Sequence, residues 1–155
     1  MASGTLAQIF ITQVKAAPMQ ARAEIQVRAG AGLQDDRYAR QAGTFSTPPE
    51  KLGRHVTLIE QEAIDAVPRE YQIPLAPGET RRNLITRGVA LNHLVGREFR
   101  VGNVTLRGIK LCEPCGHLET LTRPGVMNAL KHRGGLRADV LSDGVLRVGD
   151  PIILP

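Results

Sequence analysis

The segment Leu111-Cys112-Glu113-Pro114-Cys115-Gly116-His117-Leu118-Glu119 holds both cysteines of the chain, with carboxylates and an imidazole beside them. It follows a predicted strand, Gly108 to Leu111, and Pro114 and Gly116 force a turn there. A thiol held on such a turn can face a pocket, where arginine side chains or exposed backbone N–H groups favour the thiolate. A thiolate can ligate a soft metal, attack an electrophile or carry a sulfur atom. Other readings of the pair stand beside this one. A C-x-x-C pair can be redox-active, but thioredoxin-type pairs open a helix in a βαβ context that the pattern here lacks. The pair can be half of a zinc site, completed by His117 with His93 or His132, although the histidine spacing is irregular. Either cysteine can also be a packed core residue, which suits Cys112 at a strand end better than Cys115.

Two further segments carry polar groups suited to a ligand. In Glu79-Thr80-Arg81-Arg82-Asn83-Leu84, adjacent arginines on an extended segment point to opposite sides, so one can face inward. Asn83 has the donors and acceptors that match a heterocycle edge. The bland reading is a solvated surface pair. Gly32-Leu33-Gln34-Asp35-Asp36-Arg37-Tyr38 is a charged surface or pocket loop. An ion pair within that loop is its default reading, ahead of a carboxylate metal site.

These segments need elements to position them. Leu6 to Val14 reads as a strand. Ala21, Ala23, Ile25 and Val27 alternate with polar residues, the period-two mark of a half-buried strand. Residues 43–53, with Pro48-Pro49, predict a loop. Val56 to Ile59 predicts a strand, and Glu60 to Val67 a helix stopped by Pro68. Asn83 to Thr86 is extended, and Leu91 to Val95 is one helical turn. Phe99 to Val101 and Val104 to Leu106 flank Gly102-Asn103, a two-residue hairpin signal. Leu121 to Lys131 predicts a helix closed by Gly134-Gly135. Arg137 to Leu141 and Val145 to Val148 flank Ser142-Asp143-Gly144, a second hairpin, and Ile152 to Leu154 is a last strand. Many short strands with glycine turns and a few short helices argue a mostly β fold, a barrel or sandwich, in one domain over residues 1–155.

Composition bounds the function. With 155 residues, 42% apolar content and 3% aromatics, the chain can bury an aliphatic core. The basic excess is made by sixteen arginines against four lysines, for a net charge of +5. Arginine grips phosphate and carboxylate by two-point contacts, so the excess suits an anionic ligand; codon bias is the plain alternative. The basic residues are scattered and no nucleic-acid-binding motif appears, so nucleic acid is not expected as a partner. Two cysteines make no disulfide framework, and no apolar run is long enough for a membrane span. No membrane association and a cytoplasmic, reducing location are the expectation.

Read in order, the segments resemble the MOSC domain, named for the C-terminal domain of molybdenum cofactor sulfurase. The matching stretches are Gly32 to Tyr38, Val56-Thr57-Leu58-Ile59-Glu60, Arg81-Arg82-Asn83-Leu84, Val101 to Leu106, Glu113-Pro114-Cys115, and Asp143-Gly144 followed by Val148-Gly149-Asp150. The resemblance implies a β-barrel fold and an essential cysteine matching Cys115, which in amidoxime-reducing relatives ligates the molybdenum of a pterin cofactor. Cofactor-binding positions then fall on Arg81, Arg82, Asn83, Asp36, Arg37 and Glu113. The sequence departs from the family in having Asp35 where a glycine is usual and Pro114 where the amidoxime reducers have arginine. Two functions follow as expectations. One is a molybdenum-dependent reductase of N-hydroxylated compounds, fed by separate redox proteins. The other is a sulfur carrier, with a Cys115 persulfide, or a cofactor-delivery module for metal–sulfur cluster assembly. Pyridoxal phosphate would enter only through a separate family partner.

Overall fold

The computed structural model describes residues 3–40 and 52–155. The loop expected over residues 43–53 therefore lies outside the described residues, apart from its last two positions. In chain order the strands are β1 (Gly4–Ile11), β2 (Gln20–Arg22), β3 (Glu24–Arg28), β4 (Gly32–Leu33), β5 (Val56–Glu60) and β6 (Leu84–Arg87). They continue with β7 (Glu98–Val101), β8 (Val104–Leu111), β9 (Leu136–Val140), β10 (Gly144–Arg147) and β11 (Pro151–Ile153). The helices are α1 (Gln61–Tyr71), α2 (Gly116–Leu121) and α3 (Val126–Ala129), with 3₁₀ turns at Pro77–Thr80 and Leu91–Leu94.

Seven strands close on themselves in the order β11-β7-β8-β9-β5-β6-β1, with β1 pairing back to β11. The result is the mostly β barrel expected from the sequence. β2 extends β1 beyond the ring, and β10, β3 and β4 form a small separate sheet. All described pairings in the ring are antiparallel except β5–β6, whose crossover carries α1.

Side-chain alternation divides the core in two. Leu58 and Leu84 point into the barrel, with Leu6, Ile9, Leu106, Leu136 and Val140. Their neighbours Ile59 and Ile85 point outward, into a second cluster under the helices with Ile64, Val67, Leu118 and Leu130. β5 is therefore buried on both faces, which is why Val-Thr-Leu-Ile reads as a continuous apolar run. Cys115 packs against this second, helix-covered cluster.

Four local expectations are corrected. The alternating run from Ala21 to Val27 is broken at Ala23, because β2 pairs β1 while β3 pairs β10. Pro68 does not stop α1, which runs on to Tyr71 until Gln72, in left-handed backbone, donates its N–H to Pro68 O. Of the helix predicted over Leu121 to Lys131, only Leu121, the last residue of α2, and the four residues of α3 are helical; the chain breaks between them at Pro124 and at Gly125, whose φ is +95°. β9 and β10 do not form a hairpin. The Ser142 hydroxyl accepts the Thr105 N–H and the Asp143 carboxylate accepts the Ala29 N–H, turning the chain into the small sheet. The Gly102-Asn103 hairpin is present as expected.

No helix among the described residues is long and apolar enough to cross a membrane. Gly135, at φ +114°, passes so close to the Leu58 carbonyl that a Cβ there would collide with it. Gly135→Ala should cost about 3 kcal/mol or more, read as a lower urea midpoint. An unchanged midpoint would mean that β5 and the start of β9 are not in this contact.

Candidate functional site

The chain leaves β8 at Leu111 and reaches Cys115 in extended backbone just before α2. What fixes this short connection is a buried guanidinium. Arg82 donates through Nε to Gly134 O at 2.8 Å, through Nη2 to Cys112 O at 2.7 Å and through Nη1 to Thr80 O at 3.2 Å. Close approach of Gly134 seals the arrangement: a Cβ there would lie 2.6 Å from Cys112 O and 2.7 Å from Pro114 Cδ. With the loop pinned at both ends, half-buried Cys115 opens into a cleft lined also by Arg37, Tyr38, Arg81, Arg82 and Arg137, with His117 and Leu118 from α2. Among the described residues no carboxylate lines it.

The cations are held from behind. Asp36, fully buried, accepts the N–H groups of Thr12 and Tyr38, each at 3.1 Å, and the Arg37 guanidinium at 3.1 Å. The Arg37 guanidinium lies over the Tyr38 ring, 4.4 Å from its centre, and donates to Arg81 O at 3.1 Å. The Tyr38 hydroxyl in turn bonds Arg137. Arg81 sits in left-handed backbone at φ +61° and donates through Nη1 to Ala17 O at 2.6 Å. Its Nη2 is buried without a partner. Burial, and then the adjacent Arg37 cation, pulls Arg81 below the ordinary arginine range. Burial also works against the charge of Arg137, but Cys112, Tyr38 and Cys115 more than offset it and hold its proton tightly.

The expected site residues separate into three groups. Cys115, Arg81, Arg82 and Arg37 meet at the cleft. Both arginines of the pair face it, instead of pointing apart, because Arg81 is in left-handed backbone before β6 begins. Asp36 lies behind the cleft with no exposed surface. Asn83 and Glu113 are outside it. Asn83 Oδ1 accepts the Thr57 N–H and hydroxyl, and its Nδ2 donates to Phe10 O and bonds Asp36, so its hydrogen-bonding capacity is used within the chain. Glu113 accepts the His132 N–H at 3.0 Å and pairs with its ring at 3.1 Å. Cys112 is buried, as expected, yet it belongs to neither apolar cluster and lies within electrostatic reach of Arg54 and Arg137.

The site role of Arg137 was not anticipated. Its place follows from strand register, where it pairs with Lys110 two positions before Cys112. No local motif marks it.

The sequence matches the profile of the MOSC domain over residues 40–153. The chain belongs to the MOSC domain family. No curated protein gives a significant match. Among solved structures, the YuaD protein of Bacillus subtilis is similar at a TM-score of 0.78 with 14% identity, covering 96% of this chain and 93% of that one. YiiM of Geobacillus stearothermophilus is similar at 0.72 with 15% identity, over 98% and 75% of the two chains. YiiM of Escherichia coli is similar at 0.67 with 18% identity, over 97% and 69%. These likenesses establish the MOSC fold, and the family is one associated with molybdenum cofactor.

Two outcomes test the supports of the MOSC cleft. Asn83→Ala strands buried groups on β1 and β5, and should cost about 3 kcal/mol in urea unfolding; a near-neutral result would free Asn83 for a ligand role. Burial raises the Asp36 carboxyl above its ordinary 3.8, while Arg37 and its other donors pull it back. The folded state thus holds this proton more tightly than the unfolded state. Its contribution to stability is present below 3.8 and is lost as pH rises through the folded value. Asp36→Asn should therefore flatten stability against pH between 3.8 and neutrality, measured by urea midpoints. A slope identical to the parent's would show that this proton is not held.

Proposed function

We propose that this MOSC domain holds a molybdenum–pterin cofactor, with the Cys115 thiolate as the protein's ligand to the metal. The reading is carried by the meeting of one soft ligand with a carboxylate-free wall of arginines, one of which has a buried nitrogen that no protein atom satisfies. An anionic, oxygen-rich ligand supplies what Arg81 Nη2 lacks. Among the described residues no group of three His, Cys, Asp or Glu could hold a metal ion. A metal carried here must then bring most of its ligands on its own organic frame.

When bound, the cofactor would supply two-electron redox chemistry, such as reduction of N-hydroxylated compounds with electrons from a separate protein. Arg37, Arg81 and Arg137 would neutralise its anionic oxygens. Tyr38 would keep Arg37 and Arg137 in register, and Leu118 would exclude water from the sulfur. Arg82 would act on the loop, since three of its N–H groups already hold carbonyls. Both cysteines are free, which suits a reducing compartment such as the cytoplasm.

The small volume of the cleft, about 40 Å³, also favours a second reading, in which the Cys115 thiolate takes sulfane sulfur from a donor protein's persulfide, releasing the donor's thiol, and passes it to a partner thiol. Metal analysis and intact mass after expression in a host that makes the cofactor separate the two. Near-stoichiometric molybdenum is expected in the parent and in Cys112→Ser, with loss in Cys115→Ser at unchanged circular dichroism. One extra sulfur on Cys115 without molybdenum would move the assignment to the carrier. Full molybdenum retention by Cys115→Ser would sink the proposed ligation.

A further inference from the structure

Beside the cysteine cleft lies a second cavity of about 370 Å³, within the range of small-molecule sites, roughly 300–1,000 Å³. The two share Arg81. The walls are mainly apolar: Pro18 and Met19 from the segment after β1, Ala76 from the approach to the 3₁₀ turn, and Leu121 from the end of α2. The cleft's own arginines hold one wall in place. Arg37 Nη1 meets Met19 Sδ at 3.6 Å, and Arg81 Nη1 donates to Ala17 O at 2.6 Å. Two non-glycine residues at the cavity, Ala16 at φ +62° and Arg81 at φ +61°, have left-handed backbone. Such residues stay in that conformation only where the surroundings hold them, which marks a built wall.

Charge gives the cavity its sign. Its one carboxylate, Glu79, is taken up by Arg123 at 2.8 and 3.1 Å and by the Ala76 N–H at 2.9 Å. Arg81 is then the one cation among the described residues of the lining; it makes no direct ion pair, and its Nη2 is buried without a partner. A mainly apolar trough with one cation in its wall, on the side of the cysteine cleft, matches a ligand with an apolar body and one anionic group.

We propose that this groove binds a small amphipathic organic anion, recognised through an aryl or short-chain alkyl carboxylate portion, as the substrate subsite of the Cys115 centre, the substrate's N-hydroxylated group lying toward the cleft. Its carboxylate meets the Arg81 guanidinium, and its apolar body lies on Pro18, Met19 and Leu121. The assignment as substrate rests on the cofactor reading above; the binding itself needs no metal.

The full chain is titrated with phenylbutyrate, its neutral counterpart phenylbutanol, and butyrate, by isothermal calorimetry and amide NMR shifts. Phenylbutyrate should bind about ten-fold or more tighter than either, since only it offers both charge and body. Arg81→Gln and Leu121→Glu should each weaken it by about ten-fold or more, with the amide spectrum reporting that both variants are folded. If Leu121→Glu fails to fold, Leu121→Trp fills the trough instead and should have the same effect. Cys115→Ser should leave this binding unchanged. Equal affinity for phenylbutanol or for butyrate overturns the proposal, as does full binding by both groove variants. Molybdenum retention without the phenylbutyrate preference removes the groove alone. The preference without molybdenum retention supports the groove as a carboxylate site and removes only the cofactor reading.

Discussion

Three carbonyls converge on one buried guanidinium, and the geometry of the cleft depends on that convergence. Thr80, Cys112 and Gly134 lie in three separate connections, yet the carbonyl oxygen of each accepts an N–H of Arg82. The fork is rigid and planar, so satisfying it fixes the distances among those connections. A lysine would offer a point charge and could not hold three directions at once. Because Cys112 O is one of the three acceptors, the peptide leading to Cys115 is set by a residue thirty positions earlier in the chain. The absence of a Cβ at Gly134 lets Pro114 pass against it. The thiol is thus placed by long-range polar contacts, and a short helix merely continues from it.

A cluster of cations near one sulfur is costly unless something offsets their repulsion. Here the offset is layered. Asp36, behind the cleft, supplies the compensating charge to Arg37, and Asn83 supports Asp36 while locking β1 to β5 and β6. Tyr38 separates Arg37 from Arg137, stacking under one and bonding the other. The acid sits behind the arginines and the thiol in front of them, so the cleft keeps a positive face toward any ligand. Burying the support costs solvation, and the raised Asp36 carboxyl and lowered Arg81 register that cost.

Much of the fold was legible because the barrel is written in short-range signals. The Gly102-Asn103 turn, the Val-Thr-Leu-Ile run and the glycine-bounded strands each announce themselves locally. The errors fall where a side chain far away decides. Ala23 breaks a regular alternation because β2 and β3 serve different partners. Asp143 looks like a hairpin turn but is held by Ala29, 114 residues earlier. The site divides in the same way. Cys115 and the two adjacent arginines stand out by residue type and flanking proline or glycine. Whether Asn83 faces a ligand or the body of the fold cannot be read from its neighbours, since its partners come from two strands, β1 and β5, and from the Asp36 loop. Arg137 has no flanking motif at all; only its pairing with Lys110 brings it beside the cysteines.

The placement of the two cysteines shows how one fold can set unequal tasks for identical side chains. Cys112 ends its strand and is enclosed, with Arg54 and Arg137 as its charged neighbours. Cys115, three residues on, is half-buried against Leu118 and the helix-covered cluster, and reaches the cleft. Enclosure deprives the first thiol of approach by any reagent larger than water, however favourable its electrostatics. The second has both access and cations. Arg137, on β9, lies within electrostatic reach of both thiols, and the negative charge that either thiol can carry favours its guanidinium.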